Sequence, residues 1–382
     1  MTLKKTLLAL TLSALSGLAL ADVNVGVTVS ATGPAASLGI PEKNTIALMP
    51  TTIGGQKINY IVLDDASDTT AAVSNTRKLI TENKVDIVLG STVTPNALAM
   101  IDVAAEAKVP VISLAASSRI VDPVDDKRRW IFKTPQNDIM MSLAIATSMA
   151  NAGIKTVGYI GFSDAYGEGW YQEFSKAAGL KGLSIVANER YARTDTSVTG
   201  QVLKIVALRP DAVMTGGAGT PGALPFLALQ ERGFKGGVYG NHGMINPDFL
   251  RVAGSAATGA FLPTGPVIVA DQLPANYPTR KIADEFRAAF LKVNGTPSTD
   301  AFSAYSFDGY LVFADAAARA IAAKHEPGTP AFRVALRDAI ASTKEVVGTH
   351  GVYNFKPGNV YGVDERARVV VKVDGGTWKY VP

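Results

Sequence analysis

The chain is 382 residues long, contains no cysteine and carries a formal charge of +4. Without cysteine there is no disulfide, no zinc–thiolate site, no cysteine nucleophile and no lipid anchor on an N-terminal cysteine. So weak a positive balance does not mark a nucleic-acid binder, and the length suits two domains of ordinary size.

Met1 to Lys5 is short and basic; Thr6 to Ala21 is rich in Leu and Ala and closes on Ala19-Leu20-Ala21. That order is the order of a secretory signal peptide, with cleavage expected before Asp22. The competing reading is a membrane anchor, but the stretch falls short of the roughly 20 apolar residues that span a bilayer and is interrupted by Ser13, Ser16 and Gly17. Lys4 and Lys5 leave with the signal, so the mature chain carries about +2. No later segment is apolar and long enough to span. The mature chain is therefore expected to be soluble and held behind an outer membrane, in a Gram-negative periplasm.

From the mature N-terminus, strand-like and helix-like segments alternate. Strands are predicted at 23–29, 58–63, 86–89 and 109–114, with helices over 68–82 and 95–107. This alternation predicts a parallel sheet covered by helices on both faces. The pattern restarts with a helix at 139–152 and a strand at 156–161. A helix at 166–178, a strand at 183–187, a helix at 197–208 and a strand at 212–215 follow. A helix at 221–232 and short strands at 237–240 and 259–262 complete this half. Helices are then predicted over 280–293, 301–323 and 330–342, and strands over 368–373 and 377–381. The fold class is α/β, with two doubly wound parallel-sheet lobes. Residues 22–137 and 267–347 are assigned to the first lobe, and 138–266 and 348–382 to the second. Several crossovers between lobes suit a hinge.

In open α/β sheets, ligands sit outside the carboxyl ends of the strands. Four loops there carry small polar residues: 30–39, 90–96, 113–118 and 215–221. Each alone reads as an ordinary strand-to-helix turn; four together point to a ligand cleft. Thr94 is read as an N-cap and Pro95 as the first helical residue, so free N–H groups and the helix dipole would welcome an anion there. Enzyme signatures are lacking: there is no phosphate-binding Gly-rich loop with Lys and no Gly-x-Ser-x-Gly elbow. His242, His325 and His350 are scattered without ligand spacing. Asp64, Asp65 and Asp68 raise a metal site, but Asp68 reads better as a helix N-cap. Lys127-Arg128-Arg129 after Asp125-Asp126 reads as a solvated turn, and Trp130 and Phe132 as core.

In this order and with these gaps, Thr32-Gly33-Pro34…Gly39, Asp64-Asp65-Ala66-Ser67-Asp68, Gly90…Thr94, Val109-Pro110-Val111-Ile112-Ser113, Tyr166-Gly167-Glu168-Gly169 and Gly216-Gly217 resemble the leucine/isoleucine/valine-binding protein family. These are the type I periplasmic binding proteins, and the resemblance covers nearly the whole mature chain. It implies two lobes with three interlobe crossings that close on a ligand delivered to the permease subunits of an ABC transporter. It implies no enzymatic activity and no cofactor. It places Thr94, Ala115 and Ser117 at the ligand's α-carboxylate and Tyr166 against the ligand from the second lobe. Aromatic residues usual in the first loop and after Gly216-Gly217 are replaced by Leu38 and Ala218. The Glu that pairs with an amino-acid ligand's ammonium falls at His242.

A buried ammonium needs an acceptor, preferably a charged one. His242 offers at best a neutral one, so the replacements predict a roomier pocket for a carboxylate without an amino group, and an aryl acid is the leading class. The alternatives are a shift in register or Asp138 as the ammonium's partner, which restores a branched-chain or other hydrophobic amino acid. A periplasmic ligand sensor is the competing function of another class.

Overall fold

The computed structural model describes residues 22–382. The expected signal peptide, residues 1–21, lies outside the described residues. The first lobe opens with β1 (Val23–Val29), α1 (Ala36–Ile46), β2 (Thr52–Ile53), β3 (Gln56–Asp64) and α2 (Thr69–Thr81). It continues through β4 (Ile87–Gly90), α3 (Thr94–Glu106), β5 (Val111–Ser113) and β6 (Ile131–Lys133). The second lobe runs α4 (Asp138–Asn151), β7 (Thr156–Phe162), α5 (Ala165–Leu180), β8 (Ser184–Tyr191), α6 (Thr199–Ala207) and β9 (Ala212–Gly216). It goes on through α7 (Leu224–Glu231), β10 (Gly237–Tyr239), α8 (Pro247–Ala253) and β11 (Phe261–Thr264). Then come α9 (Arg280–Asn294), α10 (Ala301–Ala322), α11 (Pro330–Ala341), a short hairpin of β12 (Val346–Val347) and β13 (Val352–Tyr353), and β14 (Val369–Asp374) and β15 (Thr377–Val381).

The first sheet has the order β2-β3-β1-β4-β5-β6, parallel except for β2. The second has the order β15-β14-β11-β10-β9-β7-β8, with β14 and β15 antiparallel. The central strands are near-continuous apolar runs, as sheets covered on two faces require: Val23, Val25, Val27 and Val29 in β1, and Val157, Tyr159, Ile160 and Phe162 in β7, are fully buried. Trp130 and Phe132 are buried in the first lobe as expected. Asp68 caps α2, its carboxylate accepting from Ala71 N–H at 2.8 Å. Asp64 and Asp65 accept from Thr32, Ser30 and Ser91 hydroxyls, so they tie the loop ends together.

Three crossings join the lobes, near 134–138, 265 and 367–369. They converge on one polar knot. Asp308 accepts from Thr349 and His350 N–H and from the Tyr353 hydroxyl. Gln136 donates to the Ala367 carbonyl at 2.8 Å and accepts from the Tyr305 hydroxyl at 2.9 Å. This moves the expected boundary at 348: Tyr353, Phe355, Val363 and Ala367 pack in the first lobe's core, and the chain joins the second only at Val369.

Candidate functional site

The facing loop ends enclose a narrow cavity between the lobes, about 350 Å³ of space between atoms. Leu38 enters from the first turn of α1, Thr92 to Thr94 from the start of α3, and Leu114 to Ala116 from the end of β5. From the second lobe come Tyr166 at the start of α5, Arg193 after β8, Ala218 after β9, and His242 and Gly243 after β10. The lobes touch beside it, where Thr220 N–H donates to the Ser37 hydroxyl at 3.3 Å.

The structure thus brings Leu38, Thr94, Ala115, Tyr166, Ala218 and His242 to one wall-lined space. Ser117 and Asp138 are not on its wall but lie buried beside it. Two local readings change. Val93, not Thr94, is the N-cap of α3, and it caps through no side chain. The Thr94 hydroxyl is buried without a partner. The Ala115 N–H is not free either, because it donates to the Ser113 hydroxyl at 3.1 Å.

Phe302 and Tyr305 on α10 and Arg193 also reach the cavity. None of the three was singled out from sequence. Phe302 and Tyr305 are three residues apart behind the Asp300 cap, a spacing that places them on one helix face; Arg193 sits in a loop with no periodic signal.

Unpaired buried polar atoms crowd this region. They include the Ser117 and Tyr166 hydroxyls, both oxygens of Asp138, Trp170 Nε1 and both ring nitrogens of His242. In proteins such atoms are the exception and mark where a ligand or water completes the bonding. Burial holds the His242 imidazole down to about 3, helped by repulsion from the Lys133 ammonium, so the ring is neutral. Burial raises the Asp138 carboxyl and lowers the Lys133 ammonium, each partly offset by attraction to the other. Among the lining residues no side chain is acidic, and Arg193 is the ionised one. Its Nε donates to Asp164 at 2.5 Å, and its guanidinium lies 4.3 Å from the Phe162 ring centroid. Among the described residues no group of acidic and histidine side chains is arranged to hold a metal ion. No helix among them is long and apolar enough to cross a membrane.

A family model described as periplasmic binding protein matches residues 22–362. A Leu/Ile/Val-binding protein of Rhizobium johnstonii is 26% identical over 269 residues, 68% of this chain and 72% of that protein. The crystal structure of an extracellular ligand-binding receptor from Rhodopseudomonas palustris superposes with a TM-score of 0.92 at 43% identity, covering 94% of this chain and 100% of that one. A solute-binding protein of an ABC transporter from the same species, in complex with benzoate, has a TM-score of 0.78 at 21% identity, covering 94% and 96% of the two chains.

Proposed function

The chain belongs to the type I periplasmic binding proteins of the Leu/Ile/Val-binding family and is a ligand-binding receptor of the ABC-transporter type, and we propose that its ligand is an aryl carboxylate. One observation carries this reading: the cavity wall presents no carboxylate, its histidine His242 is neutral, and its one cation, Arg193, is already paired with Asp164 outside the wall. An anion meets no buried negative charge on that wall. An ammonium buried there without a counter-ion costs several kcal/mol.

The start of α3 supports the same end of the ligand. Helix N-termini favour anions, and the unpaired Thr94 hydroxyl lies there as an added donor. Ser117, with its own unpaired hydroxyl, completes that end. The Tyr166, Phe302 and Tyr305 rings wall the remainder and suit a flat apolar body. The benzoate complex is a case of the fold holding such a molecule. We further assign residues 1–21 to a cleaved signal peptide, and the permease subunits of the importer as the protein partners. Closure of the two lobes about the three crossings would bury the ligand from both sides.

A second reading rests on Asp138. Its two unpaired oxygens would let it take the ammonium of a branched-chain or other hydrophobic amino acid. A thermal-shift panel separates the two readings, since a ligand at about a hundred times its Kd stabilises by about 2.7 kcal/mol. Benzoate, a hydroxybenzoate, phenylacetate and a phenylpropenoate are expected to raise Tm, and leucine and valine to leave it unmoved. The reverse result restores the amino-acid reading.

A further inference from the structure

We propose that Asp138, Trp170 and His242 form a second polar subsite that reads a hydroxyl on the carbon next to the ligand's carboxylate, so that the preferred ligand is a 2-hydroxy acid and not a 2-amino acid. The inference rests on the carboxylate reading above and adds a group to it.

The first support is the set of unmet bonds. Asp138 and His242 are 1% exposed and Trp170 is 0% exposed. Trp170 Nε1 is turned to Asp138 and its hydrogen bond helps hold the carboxylate, but neither it nor the Asp138 oxygens has a close partner, and both His242 nitrogens have none. The Trp170 and His242 rings are 5.6 Å apart, so these groups form one cluster. Leaving a buried donor or acceptor unmet is costly. A binding protein that carries several such groups beside its cavity is prepared for a polar partner.

The second support is position. Gly169, in the first turns of α5, has no side chain to fill the space in front of Asp138. A Cβ there would lie 3.4 Å from the Ser117 hydroxyl and 3.9 Å from Asp138 Oδ2. Ser117 is assigned to the carboxylate end, so Asp138 addresses the ligand close to its carboxylate and not at the far end of its body.

The third support is charge. Lys133 ends β6 and Asp138 begins α4, on the two sides of the first crossing. Lys133 is fully buried, and its Nζ donates to the Pro135 carbonyl at 2.6 Å. Its attraction lowers the Asp138 carboxyl's pKa against burial. The carboxylate's charge is thus answered in part. An ammonium would add a second buried cation facing Lys133, whereas a hydroxyl adds none. It donates one bond to Asp138 and accepts one from Trp170 Nε1 or the His242 N–H.

The test holds the ligand body fixed. Titration calorimetry on the full mature chain compares mandelate, phenylacetate, phenylglycine and benzoylformate, which carry hydroxyl, hydrogen, ammonium and oxo at the same carbon. Mandelate is expected to bind at least tenfold tighter than phenylacetate, with phenylglycine weakest. In Asp138→Asn and in Trp170→Phe the ratio of mandelate to phenylacetate affinity should fall toward one. Two variants guard against one that does not fold, and the wild-type series decides alone if neither does. A parallel aliphatic series, 2-hydroxy-4-methylpentanoate, 4-methylpentanoate and leucine, carries the comparison if no phenyl acid binds, in which case the aryl class fails and the hydroxyl subsite is still judged. Mandelamide bound as tightly as mandelate would remove the carboxylate reading alone. The subsite is overturned if neither hydroxy acid outbinds its deoxy partner, if an amino acid binds tightest, or if benzoylformate outbinds mandelate, since an oxo group donates nothing to Asp138.

Discussion

Replacing Gly265 by Ala should destabilise the protein by about 2–5 kcal/mol. Gly265 lies on the second crossing with φ −84° and ψ 158°, a conformation open to any residue, so the cost is one of space alone. A Cβ there would lie 1.8 Å from His350 Nδ1 and 2.5 Å from Gln136 Nε2. Neither neighbour is a loose side-chain end. The His350 ring stacks on Tyr305 with centroids 4.2 Å apart, its Nε2 lies 3.0 Å from the Ala301 carbonyl, and its Nδ1 lies 3.3 Å from Gln136 Nε2. Gln136 is held by Ala367 and Tyr305. Overpacking costs about 1–3 kcal/mol, and losing one or two of these buried hydrogen bonds adds about 1 kcal/mol each. Urea unfolding followed by circular dichroism reads the change as a fall in midpoint at constant m-value. Gly179→Ala is the control, because it lies exposed in α5 with nothing within 4 Å of a Cβ and should stabilise by roughly 0.5–1 kcal/mol. A loss under about 1 kcal/mol for Gly265→Ala would mean that the three crossings are not locked together as argued.

Thr94→Val should weaken binding of a carboxylate ligand by about 1.5–3 kcal/mol, the range for a hydrogen bond to a charged group, while the unfolding midpoint without ligand stays put because this hydroxyl caps nothing; calorimetry and urea unfolding read the two effects, and unchanged affinity would place the carboxylate elsewhere. His350 is held down to about 4 by burial, against an ordinary value near 6.5. Only the unfolded chain takes up that proton as pH falls from about 6.5 to about 4, so stability is lost across that window and no further below it. His350→Gln should remove about 3 kcal/mol of that acid loss, and parallel stability–pH curves for the two proteins would refute the assignment. Small-angle scattering should show the radius of gyration falling when a tight ligand is added, with closure bringing Ser37 to Thr220; an unchanged profile at saturation would exclude a hinge of this kind.

The alternation of strands and helices was legible because strands covered on both faces are near-continuous apolar runs, as in β1 and β7. Helix α1 was not. Its inward face carries Glu42 and Thr45, which serve a buried polar network: Glu42 accepts from the Thr92 hydroxyl at 2.5 Å, and Thr45 donates to the Ser303 carbonyl at 3.0 Å. A face built that way shows no apolar period, and Pro41 further disguises it. The late return to the second lobe was hidden for a related reason. Residues 349–353 belong to the first lobe through Asp308, more than forty positions earlier on α10, and no local pattern reports a bond of that range.

The site divides along the same line. Small polar residues at strand ends show where a cleft can form, and Leu38, Thr94, Ala115, Tyr166, Ala218 and His242 meet there. Whether that cleft is wide depends on what other elements send into it. Phe302 and Tyr305 look in sequence like any core aromatics, and only the placement of α10 across the crossings turns them inward. Charge follows a similar rule. In sequence His242 is a residue that titrates near neutrality; burial beside Lys133 makes it a neutral group. Asp138 reads in sequence as a possible ammonium partner; burial leaves it with Trp170 as its one hydrogen-bond donor, and Lys133 answers part of its charge. On the proposal made above, ligand preference in this cleft turns on the balance of two buried charges at the first crossing. A ligand's amino group must disturb that balance, and a hydroxyl need not.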